Sequence, residues 1–124
     1  MGRPVTHFEF WTENPETVSD FYSAVFDWNI NHIPELNYRL VDPGGEGGIG
    51  GGIMTPSQGD WPTNLTFYVY VDDLATYREK IVAAGGEMVG GEMEVPGVGL
   101  LALFKDPDGR VIGLWKQTPK SESD

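Results

Sequence analysis

The chain has 124 residues, a formal net charge of −11, 40% hydrophobic and 12% aromatic residues, and no cysteine. That length suits one domain, or two small modules sharing a core, and the aromatic content suits a packed interior rather than a disordered chain. The missing cysteines exclude disulfide scaffolds, thiolate metal sites and cysteine nucleophiles, while the acidity, with only eight scattered basic residues, argues against nucleic acid or anionic membranes as partners.

From residue 5 the pattern alternates, with Val5, His7, Glu9 and Trp11 on one face and Thr6, Phe8, Phe10 and Thr12 on the other. Period two predicts a strand. Asn14-Pro15-Glu16 then starts a helix, with Asn14 as N-cap and Pro15 at the first helical position. Val18, Phe21, Tyr22 and Val25 form its apolar stripe, ending near Phe26-Asp27-Trp28. Two strands, Trp28–Ile33 and Tyr38–Val41, precede a glycine-rich stretch from Gly44 to Gly52 and then Ile53-Met54. Gly45 to Gly50 formally spells GxGxxG, but a strand and a turn follow where a dinucleotide site needs a helix. A loop at the mouth of a cavity, with Gly44–Gly51 as a lid, or close packing of strands, is the reading that suits these glycines.

The turn-rich run from Thr55 to Pro62 is the linker expected, and after it the same elements start again. Leu65–Val71 alternates Thr66, Tyr68 and Tyr70 against Phe67, Val69 and Val71. Asp72-Asp73 opens a helix striped by Leu74, Tyr77, Ile81 and Ala84 and closed by Gly85-Gly86. Strands at Glu87–Gly90, Gly99–Lys105 and Val111–Trp115 follow, with a tight turn at Asp106-Pro107-Asp108-Gly109. An offset of 59 maps His7 onto Thr66, Val18 onto Tyr77, Tyr22 onto Ile81 and Val25 onto Ala84. The expected architecture is α+β: one domain over 1–124 made of two βαβββ modules that enclose a concave cavity. The first module covers about 4–55, a linker 56–63, the second module 64–117 and a frayed tail 118–124. On this pattern Phe8, Phe10, Phe67, Val69 and Leu114 serve the core beneath the helices.

His7 followed by Phe21-Tyr22 and then Val25-Phe26-Asp27-Trp28 resembles the first module of the vicinal oxygen chelate superfamily. Val71-Asp72-Asp73, Ala84-Gly85-Gly86, Val95-Pro96-Gly97-Val98-Gly99, Phe104-Lys105-Asp106-Pro107-Asp108-Gly109 and Ile112-Gly113-Leu114-Trp115 resemble its second. That superfamily includes glyoxalase I, bleomycin-resistance proteins and extradiol dioxygenases, and the likeness, over about 4–117, is to a single-domain glyoxalase-like subgroup. The resemblance implies a glyoxalase/bleomycin-resistance fold and a homodimer. It also implies four cavity-facing ligand positions in metal-dependent members, which fall here on His7, Gly52, Thr66 and Gly113. Glycine offers no donor and a neutral threonine hydroxyl is a poor one, so the expectation is no metal and no cofactor.

His7 and Glu9 share one strand face, and their residue types suit an acid–base pair. They are the expected catalytic residues. Trp11, Met54, Thr66, Tyr68, Tyr70 and Trp115 fall on the inferred cavity faces and are the expected ligand contacts, as apolar walls with a few polar groups describe a small-molecule pocket. His32 lies on an exposed strand and is given no role. The function expected is therefore small-molecule binding, with a lyase or isomerase reaction if the protein is an enzyme. Two alternatives stay open: sequestration of a cationic drug in an acidic aromatic groove, as in bleomycin-resistance proteins, and a metal-dependent lyase or dioxygenase with a rearranged site at His7 and Glu9, whose side chains lie roughly 6–7 Å apart along the strand. No apolar run reaches the roughly 18–20 residues of a membrane span, and no secretory segment precedes the first strand, so the expected location is the cytoplasm and the expected partner a small molecule.

Overall fold

Alternation along the first strand sends Phe8 and Phe10 to one side of a sheet and His7, Glu9 and Trp11 to the other, and the architecture follows from that division. The computed structural model describes residues 2–56, 63–95 and 98–117. In chain order it contains β1 (Val5–Trp11), α1 (Pro15–Phe26), β2 (Asn29–Ile33), a short 3-10 turn at Pro34–Leu36, β3 (Tyr38–Asp42) and β4 (Gly50–Met54). The order then repeats as β5 (Leu65–Tyr70), α2 (Leu74–Ala83), β6 (Glu87–Val95), β7 (Gly99–Lys105) and β8 (Val111–Gln117). Most of the linker expected at 56–63, the tail 118–124 and Pro96-Gly97 lie outside the described residues. No helix among the described residues is long and apolar enough to cross a membrane.

The chain divides into two compact units, Thr6–Phe67 and Met1–Val5 with Tyr68–Asp124. In the first unit the strand order is β2-β3-β4-β1, with β1 and β4 parallel and the other pairs antiparallel. In the second it is β6-β7-β8-β5, with β5 and β8 parallel. Each is a βαβββ module, in accord with the α+β reading. The first five residues join the second unit because the Pro4 carbonyl accepts the Tyr70 N–H at 2.8 Å and the Arg3 guanidinium donates to the Tyr77 hydroxyl at 2.7 Å.

Helix ends follow local chemistry. Pro15 opens α1, but the Asn14 side chain makes no capping bond; instead the Thr12 hydroxyl accepts the Asn14 N–H at 2.9 Å. Asp73 caps α2 by accepting the Ala75 N–H at 3.1 Å. Gly85, at φ +103, closes α2, and the Gly86 N–H reaches the Ile81 carbonyl at 2.8 Å.

Beneath α1 lies an aromatic stack centred on Tyr22, whose ring centroid is 5.1 Å from both Phe10 and Trp28, with Ile53 and Val41 fully buried in the sheet. The stripe expected for this helix is partly wrong. Phe21 and Val25 are 57% and 53% exposed, while Val18 and Tyr22 are half-buried and Ser19 is buried. Ser19 can take that place because its hydroxyl donates to the Pro15 carbonyl at 2.6 Å. Beneath α2 the core is Val71, Leu74 and Leu114, flanked by Val69, Tyr77, Ile81, Leu100 and Phe104. Phe67 does not join it: it stands one residue before the β5–β8 pairing begins at Tyr68 and is 38% exposed. Gly50 and Gly51 belong to β4, so the stretch expected as a lid is shorter and ends before them.

These positions separate two residues that periodicity places together. Tyr22→Ala is expected to destabilise the protein by about 3 kcal/mol in urea denaturation, and Phe21→Ala by no more than about 1 kcal/mol, the cost of one edge contact between rings.

Candidate functional site

Strand register decides which side chains meet on the face of the first unit away from α1. Glu9 pairs with Gly52, Trp11 with Met54, Tyr38 with Met54 and Leu40 with Gly52. Strand β4 thus lies between β1 and β3 and carries no side chain at its middle position. The Tyr38 ring crosses that gap. A Cβ placed on Gly52 would collide with the Tyr38 hydroxyl and ring. Glycine is therefore required by the close approach of the phenol, whatever its backbone angles.

Across the gap, Tyr38 Oη donates to Glu9 Oε2 at 2.8 Å and lies 2.7 Å from His7 Nε2. The Trp11 indole N–H donates to the other carboxylate oxygen, Oε1, at 2.7 Å. The His7 and Tyr38 rings are nearly parallel, with centroids 6.3 Å apart. Glu9 is only 6% exposed, and both its oxygens act as acceptors. A phenol has one proton, and Tyr38 spends it on Glu9. The bond to His7 therefore requires the histidine proton on Nε2. Burial holds the His7 imidazole below its ordinary value of 6.5, with the charge of Glu9 partly offsetting the effect. At neutral pH the ring is uncharged and fit to accept a proton.

The expected pair His7 and Glu9 is thus brought together on the Tyr38 hydroxyl. Trp11 is part of the same network, and Met54 is half-buried on the same face. Thr66 is buried, its hydroxyl 3.3 Å from the Phe67 carbonyl. In the second unit Tyr68, Tyr70 and Trp115 share one face, because Tyr68 pairs with Gly113 and Tyr70 with Trp115. The buried Tyr68 ring covers Gly113, where a Cβ would strike it, so this unit repeats the covering of a glycine by a tyrosine ring. The Trp115 ring takes the space beside Gly99.

Tyr38 is the site residue that periodicity missed. A signal existed in the run Gly50-Gly51-Gly52: three bare positions in one strand leave room for rings from its neighbours. Phe8 covers Gly51 on the helix side and Tyr38 covers Gly52 on the other.

The four positions where metal-dependent members of the resembled superfamily place ligands do not fit a divalent ion. The place beside Gly52 holds the Tyr38 phenol and that beside Gly113 the Tyr68 ring. His7 Nε2 is engaged by Tyr38, and Thr66 brings a neutral hydroxyl. Among the described residues, no three His, Cys, Asp or Glu side chains gather at ligand spacing. The depression of about 540 Å³ lined by Ala75, Arg78, Glu79, Val82, Ala83 and Met88 lies on α2 and β6 and contains none of the expected site residues.

Residues 7–114 match the family described as a glyoxalase-like domain. "Putative glyoxylase CFP32" of Mycobacterium bovis is 30% identical over 115 residues, covering 90% of this chain and 43% of that protein. The anthracycline biosynthesis protein DnrV of Streptomyces peucetius is 25% identical over 125 residues, covering 89% of this chain and 46% of that protein. The chain therefore spans a little under half the length of these curated relatives. Among solved structures, methylmalonyl-CoA epimerase from Mycobacterium tuberculosis superposes with a TM-score of 0.69 at 15% identity, covering 97% of this chain and 91% of that one. A glyoxalase/bleomycin resistance protein/dioxygenase superfamily member from Vibrio splendidus superposes with a TM-score of 0.65 at 11% identity, covering 94% and 100%. At such identities these two likenesses speak for the fold.

Two measurements check the packing and the charge state. Gly52→Ala and Gly113→Ala are each expected to cost about 1–3 kcal/mol in denaturant unfolding, because a ring must be displaced from a filled position. The lowered His7 value has a definite sign in stability. The unfolded chain takes up the proton first, so stability contributed by neutral His7 is complete above about pH 6.5 and is lost as pH falls through the lower folded-state value. The difference in melting temperature between wild type and His7→Asn is expected to change over that window and to stay level above it.

Proposed function

This chain belongs to the glyoxalase-like domain family, and from that premise we propose that it binds a small carbonyl-bearing molecule and moves a proton at the carbon beside the carbonyl. The reaction class is that of an isomerase or lyase, run by side chains rather than by the superfamily's metal. One observation carries this reading: a buried carboxylate, Glu9, is tied through a single phenol to a histidine kept neutral by its surroundings. Removing a proton from such a carbon needs a base that is unprotonated near neutral pH, and the lowered value of His7 meets that need. Glu9 supplies the compensating charge when the imidazole becomes positive. Trp11, Met54 and Thr66 in the first unit are assigned to ligand contact, their apolar surfaces excluding water from the proton transfer, and Tyr68, Tyr70 and Trp115 are assigned to ligand contact on the face of the second unit. Solved neighbours that are, by name, epimerases of a CoA ester support a carbonyl substrate activated at the adjacent carbon. We assign the protein to the cytoplasm as a homodimer; the lack of cysteine supports the first and the superfamily resemblance the second.

A second reading is sequestration without chemistry. The row of Tyr70 and Trp115 and the charge of −11 suit a planar cationic ligand, and one relative is named for the biosynthesis of an anthracycline.

The two readings part in heavy water. Wild-type protein is expected to exchange the proton beside the carbonyl of 2-oxo acids or short CoA thioesters for deuterium, followed by proton NMR. His7→Asn and Glu9→Gln are each expected to slow that exchange by about 100-fold or more. Exchange that proceeds undiminished in both variants overturns the acid–base reading. Recovery of an unmodified, salt-releasable planar cation establishes sequestration instead. Native mass spectrometry of the untagged protein reads the homodimer and any co-purified ligand together.

A further inference from the structure

We propose that Tyr38 is the relay through which His7 and Glu9 share a proton, its phenol seated in the gap that Gly52 leaves in β4. The inference deepens the acid–base reading and takes its chemistry from it, but its geometry stands separately.

Three observations converge on it. The hydroxyl lies 2.7 Å from His7 Nε2 and 2.8 Å from Glu9 Oε2, so it touches both groups. The Trp11 indole N–H holds the second carboxylate oxygen at 2.7 Å and fixes the carboxylate so that Oε2 faces the phenol. Gly52 is the structural condition for both bonds, since any side chain there would occupy the space of the hydroxyl. The backbones of His7 and Glu9 are roughly 6–7 Å apart along β1, and their side chains converge on the one Tyr38 hydroxyl. The phenol links the two groups by two ordinary hydrogen bonds, at 2.7 and 2.8 Å.

Each transfer exchanges one N–H or O–H bond for another. When the His7 ring takes up a proton it becomes an imidazolium, still donating from Nε2 to Tyr38 Oη. The Nε2 proton passes to the phenol oxygen as the phenol proton passes to Glu9 Oε2. The ring is left neutral, Tyr38 is again a phenol and Glu9 has become a carboxylic acid. The reverse sequence returns the proton to substrate. No oxidant, reductant or further reactant is needed, and Tyr38 need not touch the substrate. Its role is to position and to connect, and the chain of hydrogen bonds is short enough for both protons to move together.

The position that metal-dependent relatives would give to a ligand is thus used for an organic proton carrier. The same covering of glycine by tyrosine occurs at Gly113, but there the Tyr68 ring lies directly opposite its glycine in the register. At Gly52 the ring arrives diagonally from β3, whose Leu40 is the residue opposite. That diagonal approach carries the Tyr38 hydroxyl past the glycine to β1, where it meets His7 and Glu9.

The test is the tautomer of His7, read from long-range proton–nitrogen NMR of uniformly nitrogen-15-labelled protein above pH 7, with exposed His32 as internal reference. In wild type the relay requires the Nε2–H form of His7 to dominate. Tyr38→Phe keeps the ring but removes the hydroxyl, and Gly52→Ala keeps the hydroxyl but displaces it. Both are expected to shift His7 toward a mixture of tautomers while His32 does not move. Tyr38→Phe is also expected to slow the solvent exchange described above by about 10-fold or more, with the histidine still present. A wild-type His7 that carries its proton on Nδ1 overturns the relay, and this result needs no variant to fold. A tautomer ratio unmoved by both substitutions overturns it too. Absence of deuterium exchange in the wild type with every probe overturns the acid–base reading alone, because the tautomer still decides whether Tyr38 bridges the two groups.

Discussion

Three consecutive glycines in β4 set the terms for the first unit. Each removes a side chain from a strand flanked on both sides, and at Gly51 and Gly52 the vacated space is filled by rings from its neighbours. Phe8 lies against Gly51 on the side of α1, where the rings of Phe10, Tyr22 and Trp28 continue the stack. Tyr38 crosses Gly52 on the opposite side and ends between His7 and Glu9. One short segment thereby serves the hydrophobic core on one face and the polar network on the other. A side chain at either glycine would disturb a different half of that arrangement.

The polar network is stable in its buried setting because it is closed. Glu9 is surrounded by protein, and an isolated carboxylate there would carry a large desolvation cost. Two donors, an indole and a phenol, meet its two oxygens, and no buried side-chain nitrogen or oxygen among the described residues is left without a partner. Burial lowers the His7 value and the negative charge of Glu9 opposes that lowering. That charge already receives hydrogen bonds from Trp11 and Tyr38, and a carboxylate so engaged stabilises an imidazolium less than a bare one would. A neutral imidazole next to a bonded carboxylate is an arrangement suited to receiving a proton and passing it on.

Much of this was legible in the chain. Alternation placed His7, Glu9 and Trp11 together, and Thr66, Tyr68 and Tyr70 together, since a strand turns every second side chain to the same face. The offset of 59 announced two like modules, and both carry the same strand order. Glycines at the expected ligand positions already argued against an ordinary metal site. What they did not reveal is that the space would be taken up by tyrosine. Nor did periodicity place α1 correctly. Phe21 and Val25 fall on a plausible stripe, but the helix turns Ser19 and Tyr22 inward, because stacking of Tyr22 with Phe10 and Trp28 fixes its rotation.

By itself, then, the sequence determined the order of elements, the alternation of the strand faces and the placement of His7 and Glu9 on one of them, because each depends on spacing within a single element. Tertiary structure alone decided that Tyr38 joins them. It stands 31 residues from His7 and 29 from Glu9, and nothing local in that interval relates their side chains. The relation is created by two registers in succession, β3 on β4 and β4 on β1, and by the bare glycine between them. Strand pairing brings distant residues into line, and only where the intervening position is empty can a side chain from one strand reach the next but one.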